Sequence, residues 1–192
     1  MDPLNIIIGI NVLAQFGAHY TGAKQGLRAA MAEVKDKPKG FLQKYPPYLA
    51  ALILLLVILG LFKIGVFDYS EGNRTLRITG LIVYLSFSWL QILCYKSMGD
   101  FYSQDVVVFK KHKLVTGGMY KFIRHPHYLS QILADTGAVL AVLSYLAMPF
   151  VLIQVPVLVM RAALEEKYLK KHFKDEFDAY KSKTGGFIPF IG

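Results

Sequence analysis

Long apolar runs separated by short polar stretches dominate the pattern of this 192-residue chain. A helix needs about 20 mostly apolar residues to cross the hydrocarbon core of a bilayer. The apolar stretch Tyr128–Met160 is too long for one span, and we predict that it breaks between Ser144 and Pro149 into a tight helical hairpin. The chain then has about five predicted spans, which are Leu4–Tyr20, Tyr48–Phe62, Ile78–Tyr95, Leu129–Leu143 and Met148–Arg161.

A further helical pattern follows the last span. Leu169, Phe173 and Phe177 recur at helical spacing within Glu165–Tyr180, with lysines and acids on the other face. This pattern predicts an amphipathic helix along the membrane surface. The predicted fold is therefore an all-α integral membrane helical bundle, with about five transmembrane helices and a carboxy-terminal surface helix. Residues 1–192 form a single predicted membrane domain, in which 1–97 hold the first three spans.

The loops that separate these spans differ in charge. The segments after the first, third and fifth spans (21–47, 96–127 and 161–192) hold six, six and seven of the 22 lysines and arginines. Because basic loops stay in the cytoplasm, these three are predicted to be cytoplasmic and the amino terminus to lie outside. Topology therefore explains the net charge of +9, and we expect no nucleic-acid partner. A hydrophobic content of 54% argues against an ordinary soluble domain.

Ionisable residues gather at the cytoplasmic ends of the last two spans. Arg124-His-Pro-His-Tyr128 precedes the fourth span, and Arg161 and Glu165-Glu166 follow the fifth. Such residues are costly to keep beside lipid and usually mark a functional site. Arg161 and Glu165 are one helical turn apart, so they share a face. The alternative for the glutamate pair is a solvated helix start, which the helix dipole would favour.

Other chemistry is poorly supported. His112, His125 and His127 have no acid or cysteine at metal-ligand spacing, so no metal site is expected. The single cysteine, Cys94, cannot form an internal disulfide. Asp135 lies within the fourth span, where a carboxylate is protonated or paired, and its role stays open between structure and function. The set of residues would suit a small zwitterionic nucleoside, but the residues alone establish only a polar cofactor at the cytoplasmic membrane face.

Several strings match one family in order and spacing. They are His112-Lys-Leu-Val, Gly118-Met-Tyr120, Arg124-His-Pro-His-Tyr128 and Arg161-x-x-x-Glu165-Glu166. Over about residues 98–190 the chain resembles the isoprenylcysteine carboxyl methyltransferase and phospholipid methyltransferase family. It departs at Lys174, where the family usually has glycine, and at 98–102, where a Leu-Gly-x-x-Trp-like element reads Met-Gly-Asp-Phe-Tyr.

The resemblance implies a methyltransferase that uses S-adenosylmethionine, with residues 98–192 as the cofactor-binding catalytic half. The catalytic candidates are Arg161, which would face the acceptor, with Glu166 and Arg124. The residues that would contact the cofactor are His112, Lys113, Leu114, Val115, Tyr120, His125, Pro126, Tyr128 and Glu165. The partners implied are membrane lipids and a lipophilic methyl acceptor, a prenylcysteine or another lipid.

Among the activities of this family, the resemblance favours that of an isoprenylcysteine carboxyl O-methyltransferase. An amine N-methyltransferase of phospholipids, in which Glu166 or His125 would take a proton, and a small-thiol S-methyltransferase are the alternatives within the family. A sterol-type membrane reductase with a nicotinamide cofactor and a non-catalytic membrane adaptor are the alternatives outside it. In each case the protein would be a multi-pass membrane protein with its site facing the cytoplasm. It would lie in the cytoplasmic membrane of a prokaryote or the endoplasmic reticulum of a eukaryote.

Overall fold

The chain folds into a bundle that is mostly helical, as predicted. The computed structural model describes residues 2–30 (side chains to residue 18), 34–99, 103, 105–110 and 112–191. The helices described are α1 (Pro3–Ala30), α2 (Phe41–Lys44), α3 (Pro46–Leu61), α4 (Glu71–Met98), α5 (Pro126–Val142), α6 (Met148–Phe173) and α7 (Asp175–Lys181), with a 3-10 helix over Gly118–Lys121. Two short antiparallel strands, β1 (Val34–Asp36) and β2 (Val108–Phe109), complete the fold.

The five long helices α1, α3, α4, α5 and α6 run in alternating directions through the bundle. At one end, the start of α1 meets the end of α3, because the Asn5 amide donates to the Leu61 carbonyl over 3.0 Å. The start of α4 joins the same end through Arg77, whose Nη2 lies 2.7 Å from Asp2 Oδ1. The end of α5 is there too, since the Phe67 amide donates to the Leu143 carbonyl.

Two of these helices are long and apolar enough to cross a membrane, judged by length and composition. They are α4 and α6, while Pro3–Ala18 of α1 and all of α3 form shorter apolar helices. Every predicted span thus lies on a helix of the bundle or ends within a residue or two of one. Membrane character follows from these helices, and the crossing of all five remains a prediction.

Two glycines lie where α4 and α5 pack most closely against each other. A Cβ on Gly137 of α5 would lie 2.5 Å from the Tyr84 amide nitrogen of α4, and one on Gly80 would lie 2.7 Å from the Ala141 nitrogen. Small residues at such crossings let two backbones approach closely. A turn over residues 143–147 joins α5 to α6, but α5 packs more extensively along α4 than along α6.

The predicted separate surface helix over Glu165–Tyr180 is wrong in its boundaries. Helix α6 continues from Met148 to Phe173 without a break, because no helix-breaking residue stands between the apolar run and the glutamate pair. The break comes at Lys174, whose φ of 46° ends α6, and the short α7 follows. Lys174 therefore occupies a backbone conformation that favours glycine, the residue usual in the resembling family.

Part of the apolar run 106–109 forms β2. Its partner β1, from the basic loop after α1, had no clear strand signal. Asp36 of β1 lies 2.6 Å from Lys171 Nζ and 2.9 Å from His172 Nε2. The ion pairs fasten the two strands to the end of α6.

Candidate functional site

Arg124 joins three segments at the end of the bundle where α6 terminates. Its Nε donates to Glu166 Oε1 over 2.7 Å, and its Nη1 donates to the backbone carbonyls of Thr184 and Lys181. The backbone reinforces this contact, since the Arg124 amide donates to the Gly185 carbonyl over 2.8 Å. The carboxy-terminal segment is therefore held against the start of α5.

Glu166 is the centre of this ion-pair network. Its Oε1 also lies 3.1 Å from His125 Nε2, and its Oε2 accepts from Lys181 Nζ over 2.7 Å. With both carboxylate oxygens accepting hydrogen bonds from basic groups, Glu166 is poorly placed to take a proton from a substrate. Through these contacts Glu166 touches His125 and ties α6 to the carboxy-terminal segment.

The neighbouring glutamate, Glu165, points to a different set of side chains. Its Oε2 lies 3.7 Å from His125 Nδ1. The His125 ring stacks on Tyr128, with ring centres 5.7 Å apart and planes 10° apart. Tyr128 in turn accepts a hydrogen bond of 3.1 Å from Nε of Arg161. Residues from the start of α5 and the middle of α6 thus form one continuous polar surface.

A small cavity of about 70 Å³ lies beside this surface, under the loop that carries β2. The described residues that line it come from that loop, the start of α5, the end of α6 and α7. His112 contributes an imidazole whose Nδ1 accepts from the Phe109 amide over 3.4 Å. Burial, reinforced by the charge of nearby His172, lowers the pKa of His112 to about 4, so the ring is neutral at physiological pH.

A much larger cavity of about 620 Å³ extends from the same surface into the bundle between α1, α3, α4, α5 and α6. One wall is apolar and comes mainly from α1 and α3, whereas α4 and α5 contribute polar side chains. Arg161 lines this cavity and not the small one. The residues that line both cavities are Met98, Ser103, Tyr120, Arg124, His125, Tyr128 and Glu165.

Most residues proposed from the sequence come together here. The small cavity is lined by the predicted residues His112, Leu114, Val115, Tyr120, Arg124, His125, Tyr128, Glu165 and Glu166. Two proposed cofactor contacts line neither cavity. The Lys113 side chain is exposed, and Pro126 is buried as the first residue of α5.

Sequence reasoning missed part of the lining. Leu169 and Phe177 were assigned to a membrane-facing stripe, but both line the small cavity, and Phe177 is only 1% exposed. Leu169 lies on α6 and Phe177 on α7, so the two come together across the break at Lys174 and cover the site. Val106 and Val108 belong to the lining as well, and their apolar run was the one signal that could have drawn attention to them. Among the described residues, no group of three or more His, Cys, Asp or Glu side chains is arranged to hold a metal ion.

Comparison with known proteins adds an independent observation. Residues 79–171 match the model of the isoprenylcysteine carboxyl methyltransferase (ICMT) family. The protein-S-isoprenylcysteine O-methyltransferase of Saccharomyces cerevisiae is 30% identical over 129 residues, which are 66% of this chain and 54% of that protein. The protein-S-isoprenylcysteine O-methyltransferase of Schizosaccharomyces pombe is 31% identical over 83 residues, 43% of this chain and 35% of the relative. The chain thus spans about half the length of the first relative and less of the second.

The fold has a counterpart among solved structures. The structure of the eukaryotic intramembrane Ras methyltransferase ICMT, determined without a monobody, matches with a TM-score of 0.58 and 22% identity. The match covers 77% of this chain and 54% of that chain. At this identity the likeness shows a shared fold.

Proposed function

We propose that this chain, which belongs to the isoprenylcysteine carboxyl methyltransferase family, transfers a methyl group from S-adenosylmethionine to the carboxylate of a lipophilic, prenylcysteine-like acceptor. The observation that carries the proposal is the meeting of two unlike cavities. A small one, lined by the motif residues, and a large one, which extends between the long helices, share seven lining residues. Such an arrangement brings a polar and a lipophilic molecule together at one point.

The residues around the small cavity and its junction with the larger one fit the proposed cofactor by their chemistry, and a molecule of that size would extend from the cavity of about 70 Å³ through the junction. Glu165 offers a carboxylate for an ammonium group or a ribose diol. His125, Tyr120 and Tyr128 offer aromatic rings, whose faces attract a sulfonium cation as they attract other cations. Burial raises the pKa of Tyr120 well above its usual value, so that its hydroxyl stays protonated. The neutral His112 ring, with Nδ1 accepting from Phe109, keeps its proton on Nε2 and can donate from there.

S-adenosylmethionine would supply the electrophilic methyl group, so the protein has mainly to align the acceptor and exclude water. The Arg124–Glu166 network holds the carboxy-terminal segment over the site. His125 is fixed between Glu166 and the Tyr128 ring. A carboxylate acceptor is already a nucleophile and needs no general base, which agrees with a Glu166 whose two oxygens are engaged.

Arg161 is the proposed acceptor-binding residue. Its side chain is 4% exposed, it lines the larger cavity, and its Nε is oriented by Tyr128. A planar guanidinium can bind a carboxylate through two parallel hydrogen bonds, which a lysine cannot reproduce. The lipid part of the acceptor would then extend along the cavity between the helices.

The test compares Arg161→Lys with a control, Arg74→Lys, which changes an exposed arginine at the other end of the bundle. Turnover of an S-farnesylated N-acetylcysteine should fall at least about tenfold in Arg161→Lys, on the order of 1.4 kcal/mol of transition-state stabilisation. The thermal stabilisation by S-adenosylhomocysteine should stay unchanged, because Arg161 does not line the small cavity.

Three results would contradict the proposal. Stabilisation by NADPH and not by S-adenosylhomocysteine would indicate the reductase class. Stabilisation by neither would indicate a non-catalytic adaptor. Methylation of a phospholipid amine or a small thiol, with no activity toward the farnesylated carboxylate, would overturn the role given to Arg161.

A further inference from the structure

The larger cavity carries a polar wall at a depth where a hydrocarbon chain would not need one. The described polar side chains that α4 and α5 contribute to it are Tyr84, Ser88, Gln91, His127, Tyr128, Gln131 and Asp135. The wall from α3 is apolar, with Ala50, Ala51 and Leu54. Burying polar groups against hydrocarbon without a hydrogen-bond partner is unfavourable. A purely hydrocarbon tail therefore matches only one side of this cavity.

Asp135 is the one acid among the described residues of that wall. It follows Tyr128 by two helical turns, which is about 10 Å along the axis of α5. Gln154 of α6, which is 1% exposed, donates from Nε2 to Asp135 Oδ2 over 2.8 Å and so fixes the carboxylate at the cavity. The carbonyl oxygen of Gln154 has no hydrogen-bond partner among the described residues. The pair is thus oriented but not fully satisfied by the protein.

Gln15 on α1 faces the same cavity with the complementary chemistry. Its side chain is buried, and its Nε2 has no hydrogen-bond partner among the described residues. Asn11, one turn earlier on α1, contrasts with it. The Asn11 amide donates to Ser88 over 3.1 Å and its oxygen accepts from Trp89 Nε1 over 3.0 Å. Of these two α1 amides, the one that lines the cavity is therefore the one with the unpaired donor, and it calls for an acceptor atom.

We propose that the acceptor carries an uncharged hydrogen-bonding group, a hydroxyl or an amide, about 10 Å from its methylated end. This group donates to the carboxylate of Asp135 and accepts from the amide of Gln15. An ammonium group at that depth would satisfy Asp135 but would leave the Gln15 N–H facing a cation, so the neutral group fits better. The inference rests on the proposed function only for the identity of the methylated end.

Three S-alkylated N-acetylcysteines of equal length provide the test. One has a plain hydrocarbon chain, one has a hydroxyl about 10 Å from the carboxylate, and one has a primary ammonium there. Binding to the protein in lipid nanodiscs is measured by competition with a fluorescent lipid acid, with S-adenosylhomocysteine present. We expect the hydroxylated compound to bind about tenfold more tightly than the plain one.

Variants then assign the preference to the two side chains. In Gln15→Leu and Asp135→Leu the hydroxyl preference should fall to about threefold, since each removes one of the two hydrogen bonds that produce it. Asp135→Asn retains an acceptor oxygen and should keep most of the preference. Gln15→Leu removes an unpaired buried amide and should fold at least as stably as the wild type, so its result stands even if Asp135→Leu does not fold.

Equal binding of the plain and hydroxylated compounds by the wild-type protein, or a preference that Gln15→Leu leaves unchanged, would overturn the inference. Tightest binding of the ammonium compound would overturn its uncharged character. The methylation of each compound is measured separately. A hydroxyl preference in binding, with no methylation of any compound, would refute the proposed function and leave the subsite in place.

Discussion

Glu165 and Glu166 are adjacent in sequence and perform different tasks in the structure. Successive residues of a helix point about 100° apart, so the two carboxylates face different neighbours. Glu165 lines both cavities, whereas Glu166 is held by Arg124, His125 and Lys181. The sequence analysis proposed Glu165 as a cofactor contact and Glu166 as a catalytic candidate, but it could not show which side chains hold Glu166. Lys181, which occupies the second oxygen of Glu166, comes from a segment whose position depends on the break at Lys174.

At the scale of one residue, His112 makes stability depend on pH. Its pKa is about 4 in the folded protein, against about 6.5 in an unfolded chain. Below pH 6.5 the unfolded chain therefore binds a proton that the folded chain does not. The stabilisation of the folded state that comes from His112 is complete above pH 6.5 and is lost as the pH falls from 6.5 toward 4.

The expected loss between pH 7.5 and pH 5.5 is about 1 kcal/mol, allowing for the water that reaches a half-buried ring. Its control is His112→Phe, which keeps an aromatic ring between Phe109 and Phe173 and cannot titrate. Thermal unfolding of both proteins at the two pH values measures the difference. If the stability of both proteins changed equally with pH, His112 would not be the cause of the pH dependence.

At the scale of elements, α6 is the helix that connects the two halves of the site. It carries Arg161 along the larger cavity, Glu165 at the junction, and Gln154, which holds the cavity residue Asp135, all on one uninterrupted helix. The sequence analysis ended the span at Arg161 because charge begins there. Change in polarity marks a change of surroundings, but it does not end a helix unless a breaking residue stands at that point. The break at Lys174 lacks such a signal, because the chain has a lysine where the family usually has glycine.

The close contact of α4 with α5 should be sensitive to a single added methyl group. Gly137→Ala should destabilise the protein by about 1–3 kcal/mol, because the new Cβ would meet backbone atoms of α4, which cannot move aside as a flexible side chain can. Gly9→Ala on α1 is the matched control. Among the described residues its Cβ would contact only Leu61 Cδ1, at an ordinary distance of 3.6 Å, so the protein should be as stable as the wild type or slightly more. Equal stability of the two variants in detergent would mean that the α4–α5 crossing can widen without loss.

At the scale of the whole molecule, the hydrophobic pattern predicted the five long helices, and the charge pattern predicted their alternation. Both are properties that repeat along many residues, so they survive local irregularities. The paired strands, the placement of Leu169 and Phe177, and the polar lining around Asp135 could not be predicted in the same way. Each depends on contacts between segments far apart in the chain, such as Asp36 with Lys171.

The arrangement of the bundle allows a direct test of the topology that the charge distribution predicts. Residues 2–5, 61–69, 77 and 141–144 meet at one end, and the three basic segments extend from the other. If the basic end faces the cytoplasm, single cysteines at Lys39, Lys113 and Lys183, all exposed, should react with an impermeant thiol reagent only from that side. A cysteine at Glu71 should react only from the opposite side. Each cysteine is introduced into the Cys94→Ala variant. That variant alone should not be labelled and serves as the control. Labelling of Lys113→Cys from the Glu71 side would show that α4 does not separate these two residues across the membrane, and the five-span arrangement would then be wrong.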